Sequence, residues 1–209
     1  MKTLLIIGVT LLIAVSCSTK TFHGSIIYKV SYDIPKNINA EAPPSTEIKN
    51  LIGDGFTRIE QQSRMGDQVS LYFWKEKKTV ILTEIMGKKM ALTSNDSEDN
   101  ATYFIEEKKE TKKIAGYKCN LANFYAIRNG DSTLFQIYYT PSITGEANSQ
   151  FPGLKGYPLS YSTKEQGVTI NCTATEIKEK EIDSTLKSIP EEYEVMTMKD
   201  FMDQMGQGK

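Results

Sequence analysis

His23 is the single histidine of the chain, so neither a catalytic triad nor a histidine-rich zinc centre can be assembled around it. It reads as a strand-start residue. The acidic segment Asn95-Asp-Ser-Glu-Asp-Asn100, followed by Glu106, faintly echoes a calcium loop. It places Asn100 where such a loop needs glycine and starts on Asn, so a solvated loop is the better reading. Glu106-Glu107 and Glu191-Glu192 are adjacent carboxylates. Neighbouring strand residues point to opposite faces, which makes them poor acid/base couples. No glycine-rich phosphate loop occurs. Enzymatic chemistry, metal and cofactor are therefore not expected. The aromatics and methionines offer more. Phe73, Trp74, Met90, Phe124, Tyr138, Met198, Phe201 and Met202 are the candidates for lining an apolar ligand cavity. The commoner role of such residues is to fill the core, and both readings can hold for different residues.

The cysteines speak of location. Lys2 precedes Leu4–Val15, an almost wholly apolar run. At about a dozen residues it is too short to span a bilayer, which needs roughly 20, but it suits a signal-peptide core. Ala14-Val15-Ser16-Cys17 closes it with small residues. Two readings compete there. Ala14 and Ser16 satisfy the small-x-small rule of secretory cleavage. The same stretch resembles a bacterial lipobox, with Ala14 where leucine is commoner. The thiol favours lipidation, because an exposed free Cys17 is a liability in an oxidising compartment. Residues 1–16 are thus expected to be a signal peptide, and 17–22 the lipidated Cys17 and its tether. No acidic run follows Cys17, which suggests the periplasmic face of an outer membrane. In an exported chain Cys119 and Cys172, both in strand-like segments, form a plausible disulfide.

The elements between are mostly strands. Ile26, Tyr28, Val30, Tyr32 and Ile34 alternate with mostly polar neighbours, a half-buried strand. Further strands are expected over 56–63, 69–73, 79–85, 89–93, 103–113, 116–127, 134–140, 159–163 and 168–177. Asn129-Gly130 is the strongest hairpin signal. Residues 141–156 read as a loop containing prolines, glycines and Phe151. Thr46–Ile52, after Pro43-Pro44, reads as a short helix, and Lys199–Met205 as a C-terminal one. The expected fold is mainly β: a strongly curved antiparallel sheet or incomplete barrel of roughly ten strands with a few covering helices. It forms one domain over 23–205, with a frayed tail at 206–209. The two helical segments are the expected covers of its concave side, the C-terminal one as a lid.

A composition of 39% hydrophobic and 24% charged residues in 209 excludes a disordered chain. A net charge of −1 gives no basic face for nucleic acid.

Several stretches resemble a known group of exported bacterial proteins. They are Phe22-His-Gly24, Lys113-Ile-Ala-Gly-Tyr-Lys-Cys119, Ile137-Tyr-Tyr-Thr140, Phe151-Pro-Gly-Leu-Lys-Gly-Tyr-Pro-Leu159 and Ile182-Asp-Ser with Ile189-Pro-Glu-Glu-Tyr193. Together they look like domain of unknown function 4412, and the segment around Phe151–Leu159 like the related GLPGLI family, both of Bacteroidetes type. The resemblance implies a fold similar to the lipoprotein-localisation factors, in which helices lid an incomplete barrel that holds acyl chains. It brings no catalytic residue. The expected function is a non-catalytic, periplasm-facing outer-membrane lipoprotein. It would be held by a lipid anchor and would bind a lipid or acyl chain. The alternative is an envelope interaction or scaffold module that binds a partner protein and no ligand.

Overall fold

The computed structural model describes residues 21–35, 46–63, 66–95, 101–165 and 167–206. The expectations for the signal segment, Cys17 and Asp96–Asn100 lie outside these. The strands are β1 (Gly24–Asp33), β2 (Glu47–Ile52), β3 (Phe56–Ser63), β4 (Gly66–Phe73), β5 (Lys78–Ile85) and β6 (Lys88–Asn95). Then come β7 (Thr102–Ile114), β8 (Tyr117–Arg128), β9 (Asp131–Thr140), β10 (Tyr157–Glu165), β11 (Val168–Glu179) and β12 (Glu194–Thr197). One helix, α1 (Met198–Gly206), follows. Among the described residues no helix is long and apolar enough to cross a membrane.

All twelve strands share one sheet, ordered β12-β6-β5-β4-β3-β2-β1-β11-β10-β9-β8-β7. Every neighbour pair is antiparallel except β12 on β6. Two meanders, β1–β6 and β7–β11, therefore join through the β1–β11 ladder. Covalent geometry bends this sheet. Asn95 ends β6 and Thr102 begins β7. The connection between them reaches at most about 25 Å when extended. Laid flat, the ten strand spacings from β6 to β7 would measure about 48 Å. The sheet must curl to bring those strands together, and it stays open with β12 and β7 at its edges.

Turn chemistry sets the register. Asn129 and Gly130 both take positive φ, 51° and 87°, and close β8 onto β9 as their types anticipate. Met86-Gly87 does the same for β5 and β6.

Cross-strand partners sort the side chains by face. Tyr28 faces Ile48 and Ala174, Asn50 faces Ile59, and Ile59 faces Ser70, all on the concave side. Ile137, Phe124 and Tyr161 continue this face across β8–β10. Residues 141–156 fold into the hollow and plug it. Ile143, Ala147, Phe151 and Leu154 of this plug are all buried. Phe151 meets Phe124, Phe135 and Tyr161 edge-on at ring distances of 5.2, 5.3 and 5.2 Å.

Three expectations are corrected here. Thr46–Ile52 is not a helix. Its residues 47–52 form β2, because Ile48, Asn50 and Ile52 share the concave face and the ladders of β1 and β3 outweigh weak local preference. With β12 this raises the strand count from ten to twelve. The C-terminal segment does not lid the hollow. Ile189 and Tyr193 pack on Leu71, Val80, Leu82 and Ala91, and Arg58 Nη1 donates to Leu186 O at 3.2 Å. Arg58, Leu71 and Val80 are register partners on the convex face, opposite Thr57 and Tyr72. The segment thus crosses the outside of the sheet before β12 joins β6.

The third correction is the disulfide. Cys119 and Cys172 are buried free thiols. They sit on β8 and β11 with β9 and β10 between them, three spacings or about 14 Å along the sheet. A bridge needs Cα atoms within about 7 Å. Burial pushes both thiols up to about 11. Thiol labelling of the native protein at pH 8 is expected to leave both unmodified, while denaturant exposes two. A melting temperature unchanged by reductant is the companion result; a fall would indicate a bridge.

Candidate functional site

A cavity lies inside the curl. It is a groove of about 270 Å³ between the concave face and the plug. β1 and β2 supply Tyr28, Ile48 and Asn50, β3–β5 supply Ile59, Gln61, Ser70 and Thr79, and β10–β11 supply Tyr161 and Cys172. The plug supplies Ala147 to Gln150. These strand residues share one face because the side-chain period is two and the ladders keep register.

The plug is held by polar bonds as well as by Phe151. Thr57 Oγ1 donates to Ala147 O at 2.7 Å, and Trp74 Nε1 donates to Thr57 Oγ1 at 3.0 Å. Asn148 closes the plug on itself. Its Oδ1 accepts from the Gln150 and Phe151 amides and its Nδ2 donates to Phe151 O. Gly145 and Gly156 let the plug approach backbone. A Cβ at Gly156 would lie 2.3 Å from Thr140 O, and one at Gly145 2.2 Å from Leu154 O.

The groove floor is a hydroxyl and amide network. Tyr28 OH donates to Pro158 O at 2.7 Å, and Asn50 Nδ2 donates to Tyr157 OH at 2.9 Å. Burial raises the Tyr28, Tyr157 and Tyr161 hydroxyls above the ordinary phenol range, so all three remain protonated at neutral pH. Asn50 Oδ1 is buried without a hydrogen-bond partner. Among the described residues, no Asp, Glu, Lys, Arg or His lines this groove. Such a site can hold a ligand by shape, apolar contact and neutral hydrogen bonds.

The eight predicted cavity residues do not converge. Phe124 is core beneath Phe151. Phe73 joins the convex cluster under Ile189 and Tyr193. Tyr138 carries Lys112 over its ring at 5.5 Å. Met90 is buried on β6, and Trp74 braces the plug through Thr57. Met198, Phe201 and Met202 lie on α1, against β6 and β12, with Met202 61% exposed. None of the eight lines the groove. Sequence reasoning missed Asn50, Tyr28 and Tyr161. Reading 48, 50 and 52 as alternating strand positions would have exposed Asn50 as a polar residue on a buried face.

Charged recesses lie outside the groove, two of them beside the starts of β2 and β1. One of about 490 Å³ has Glu47, Lys49, Glu60 and Asp67 in its wall. The other, about 370 Å³, holds His23 with Tyr117, Glu179 and Glu181. Among the described residues no three His, Cys, Asp or Glu side chains are placed to hold a metal. The convex location of the C-terminal crossing makes a prediction. Ile189→Ala should lower stability by about 1–2 kcal/mol through lost apolar burial and leave the groove's binding unchanged. Parallel melting and binding curves test this; lost binding at full stability would return the segment to a lid role.

No protein-family model matches the sequence, and the curated proteins yield no match either. The resemblance to domain of unknown function 4412 and GLPGLI therefore has no family match behind it. Among solved structures the chain is similar to PNGF-II, with a TM-score of 0.60 and 16% identity over 90% of this chain and 33% of that one. The chain spans about a third of that protein's length. The lipoprotein LppX of Mycobacterium tuberculosis gives a TM-score of 0.39 and 6% identity, covering 79% of this chain and 91% of that one. LprF of Mycobacterium bovis gives 0.34 and 11%, covering 84% and 92%. The last two scores are too low to argue from, and at 16% identity the similarity to PNGF-II is one of fold alone.

Proposed function

We propose that the protein is a non-catalytic, lipid-anchored binding protein of the cell envelope, facing the periplasm, and that it holds a small amphipathic, lipid-like ligand in the concave groove. The observation that carries this reading is the groove itself, walled by the sheet and the plug and lined by Tyr28, Ile48, Ile59 and Tyr161 with amides and hydroxyls between them. Ligand sites are concave and carry placed polar groups, and the mixed polar and apolar lining of this groove suits an amphipathic ligand. Its volume admits a compact ligand or one end of a longer acyl chain. The uncharged lining and protonated hydroxyls offer no general base, which favours binding over catalysis. The Leu4–Val15 run and Cys17 support export and the anchor.

A second reading has its own observation. Phe104 is 58% exposed and stacks on Tyr125 at 5.8 Å, beside exposed Ile127 and Leu134 on the convex face near edge strand β7. That patch suits a protein partner in an envelope scaffold. Native mass spectrometry separates the two. The full chain carrying Cys17→Ser, which blocks acylation, would be exported, purified without detergent and weighed. A reproducible extra mass that organic extraction removes is expected. A clean protein that also ignores added amphiphiles would favour the patch.

A further inference from the structure

The last helix carries an apolar face that the described residues leave largely uncovered. Met198, Phe201, Met202 and Met205 recur at the spacing that aligns them on one side of α1. Asp200 N donates to Thr197 Oγ1 at 3.0 Å, which caps the helix where β12 ends. None of its residues is buried, and Met202 and Met205 are 61% and 52% exposed. Val195, just before the helix, is exposed as well. Strand register places this face. From Gly24 the row of cross-strand partners runs through Ile52, Thr57, Tyr72, Thr79 and Ser94. Thr197 pairs with Thr93, so Met198 stands level with Ser94. α1 thus starts at the end of the sheet where β1 begins. The chain from Cys17 to Gly24 reaches at most about 25 Å. Six strand spacings separate α1 from Gly24 along the row, about 29 Å laid flat and less in the curl. An acylated Cys17 therefore holds this end of the sheet, and α1 with it, close to the bilayer.

We infer that α1 is a second membrane contact, with Met202 and Met205 seated just below the headgroups of the bilayer in which Cys17 is anchored. This rests on the lipid-anchored reading and names a surface that serves it. The strength of an interfacial helix scales with its buried apolar area, so one as short as α1 is weak alone. The tether offsets this by presenting it to the bilayer at high effective concentration. Methionine, flexible and polarisable, suits an irregular apolar medium. α1 carries Lys199 against Asp200 and Asp203, so no excess of positive charge draws it to anionic lipid. The seating is apolar, and high salt should leave it in place.

The test reads methionine oxidation by chloramine-T, a charged oxidant that stays in water. The full chain is expressed and processed in a bacterium, and the acylated protein is inserted into preformed phosphatidylcholine vesicles. The Cys17→Ser chain in detergent-free solution is the reference. Sulfoxide formation at Met202 and Met205 should slow at least about fivefold on the vesicles, in low and high salt alike. Met86, 90% exposed in the β5–β6 turn at the opposite end of the sheet, should oxidise at one rate in both samples. A Cys17 that mass spectrometry shows without acyl chains overturns the lipid-anchored reading and the inference with it. Acylated protein whose Met202 and Met205 oxidise as fast on vesicles as in solution overturns the inference alone. So does protection that high salt removes. Protection of the Cys17→Ser chain without lipid, lost on dilution, would give the face to a second copy instead. Protection in whole cell envelopes but not on vesicles would give it to a partner protein.

Discussion

Phe151→Ala is expected to cost about 3–5 kcal/mol, a large part of the 5–15 kcal/mol that a domain typically commands. Phe151 is 1% exposed and enters the hollow at the centre of Phe124, Phe135 and Tyr161. Truncation removes three edge-to-face contacts at once and leaves a void that the sheet cannot close by collapse. Its neighbours are fixed by ladders on both sides. The same ring holds the plug that forms one wall of the groove, so ligand affinity should fall together with stability. Denaturant unfolding gives the stability change. A loss under about 1 kcal/mol would mean that the plug is not packed as described.

The second large effect is steric. Gly156→Ala would place a Cβ 2.3 Å from Thr140 O and 2.7 Å from its carbonyl carbon. Neither can retreat, because the next residue, Tyr157, pairs with Thr140 in the β9–β10 ladder. Overpacking costs about 1–3 kcal/mol where side chains can adjust, and a backbone clash in a ladder belongs at or above the top of that range. Gly206→Ala is the control, since nothing lies within 4 Å of its Cβ position. Its melting temperature should match the parent's. A Gly156→Ala protein as stable as that control would show the plug seated further from β9.

These effects explain what could be read early and what could not. The β7–β8–β9 arm was legible because alternation and the Asn129-Gly130 turn act locally. β2 was not, because six residues after two prolines satisfy a helix start as readily as a strand. Only the ladders to β1 and β3 decide between them. The cysteine pairing failed for a long-range reason. Their strand-like surroundings gave no hint that β9 and β10 would stand between them. The cover of the hollow was misassigned for a similar reason. The C-terminal apolar stripe suggested a lid by composition. The chain's return path from β11 to β6 crosses the convex face, and the loop bearing Phe151 fills the concave one. Of the site, the aromatic character was anticipated, but the particular residues were not. A groove assembled from seven strands and a loop is a property of register.

The central claim is that ligand enters the concave groove and not the convex patch. Amide chemical-shift mapping of the Cys17→Ser chain during titration with 1-octanoylglycerol tests it most directly. Saturable shifts are expected, centred on Asn50, Gln61, Ser149, Gln150 and Tyr161, with the amides around Phe104, Tyr125 and Leu134 unmoved. Shifts confined to Phe104, Tyr125, Ile127 and Leu134 would contradict it and make the outer face of β7–β9 the working surface of the protein.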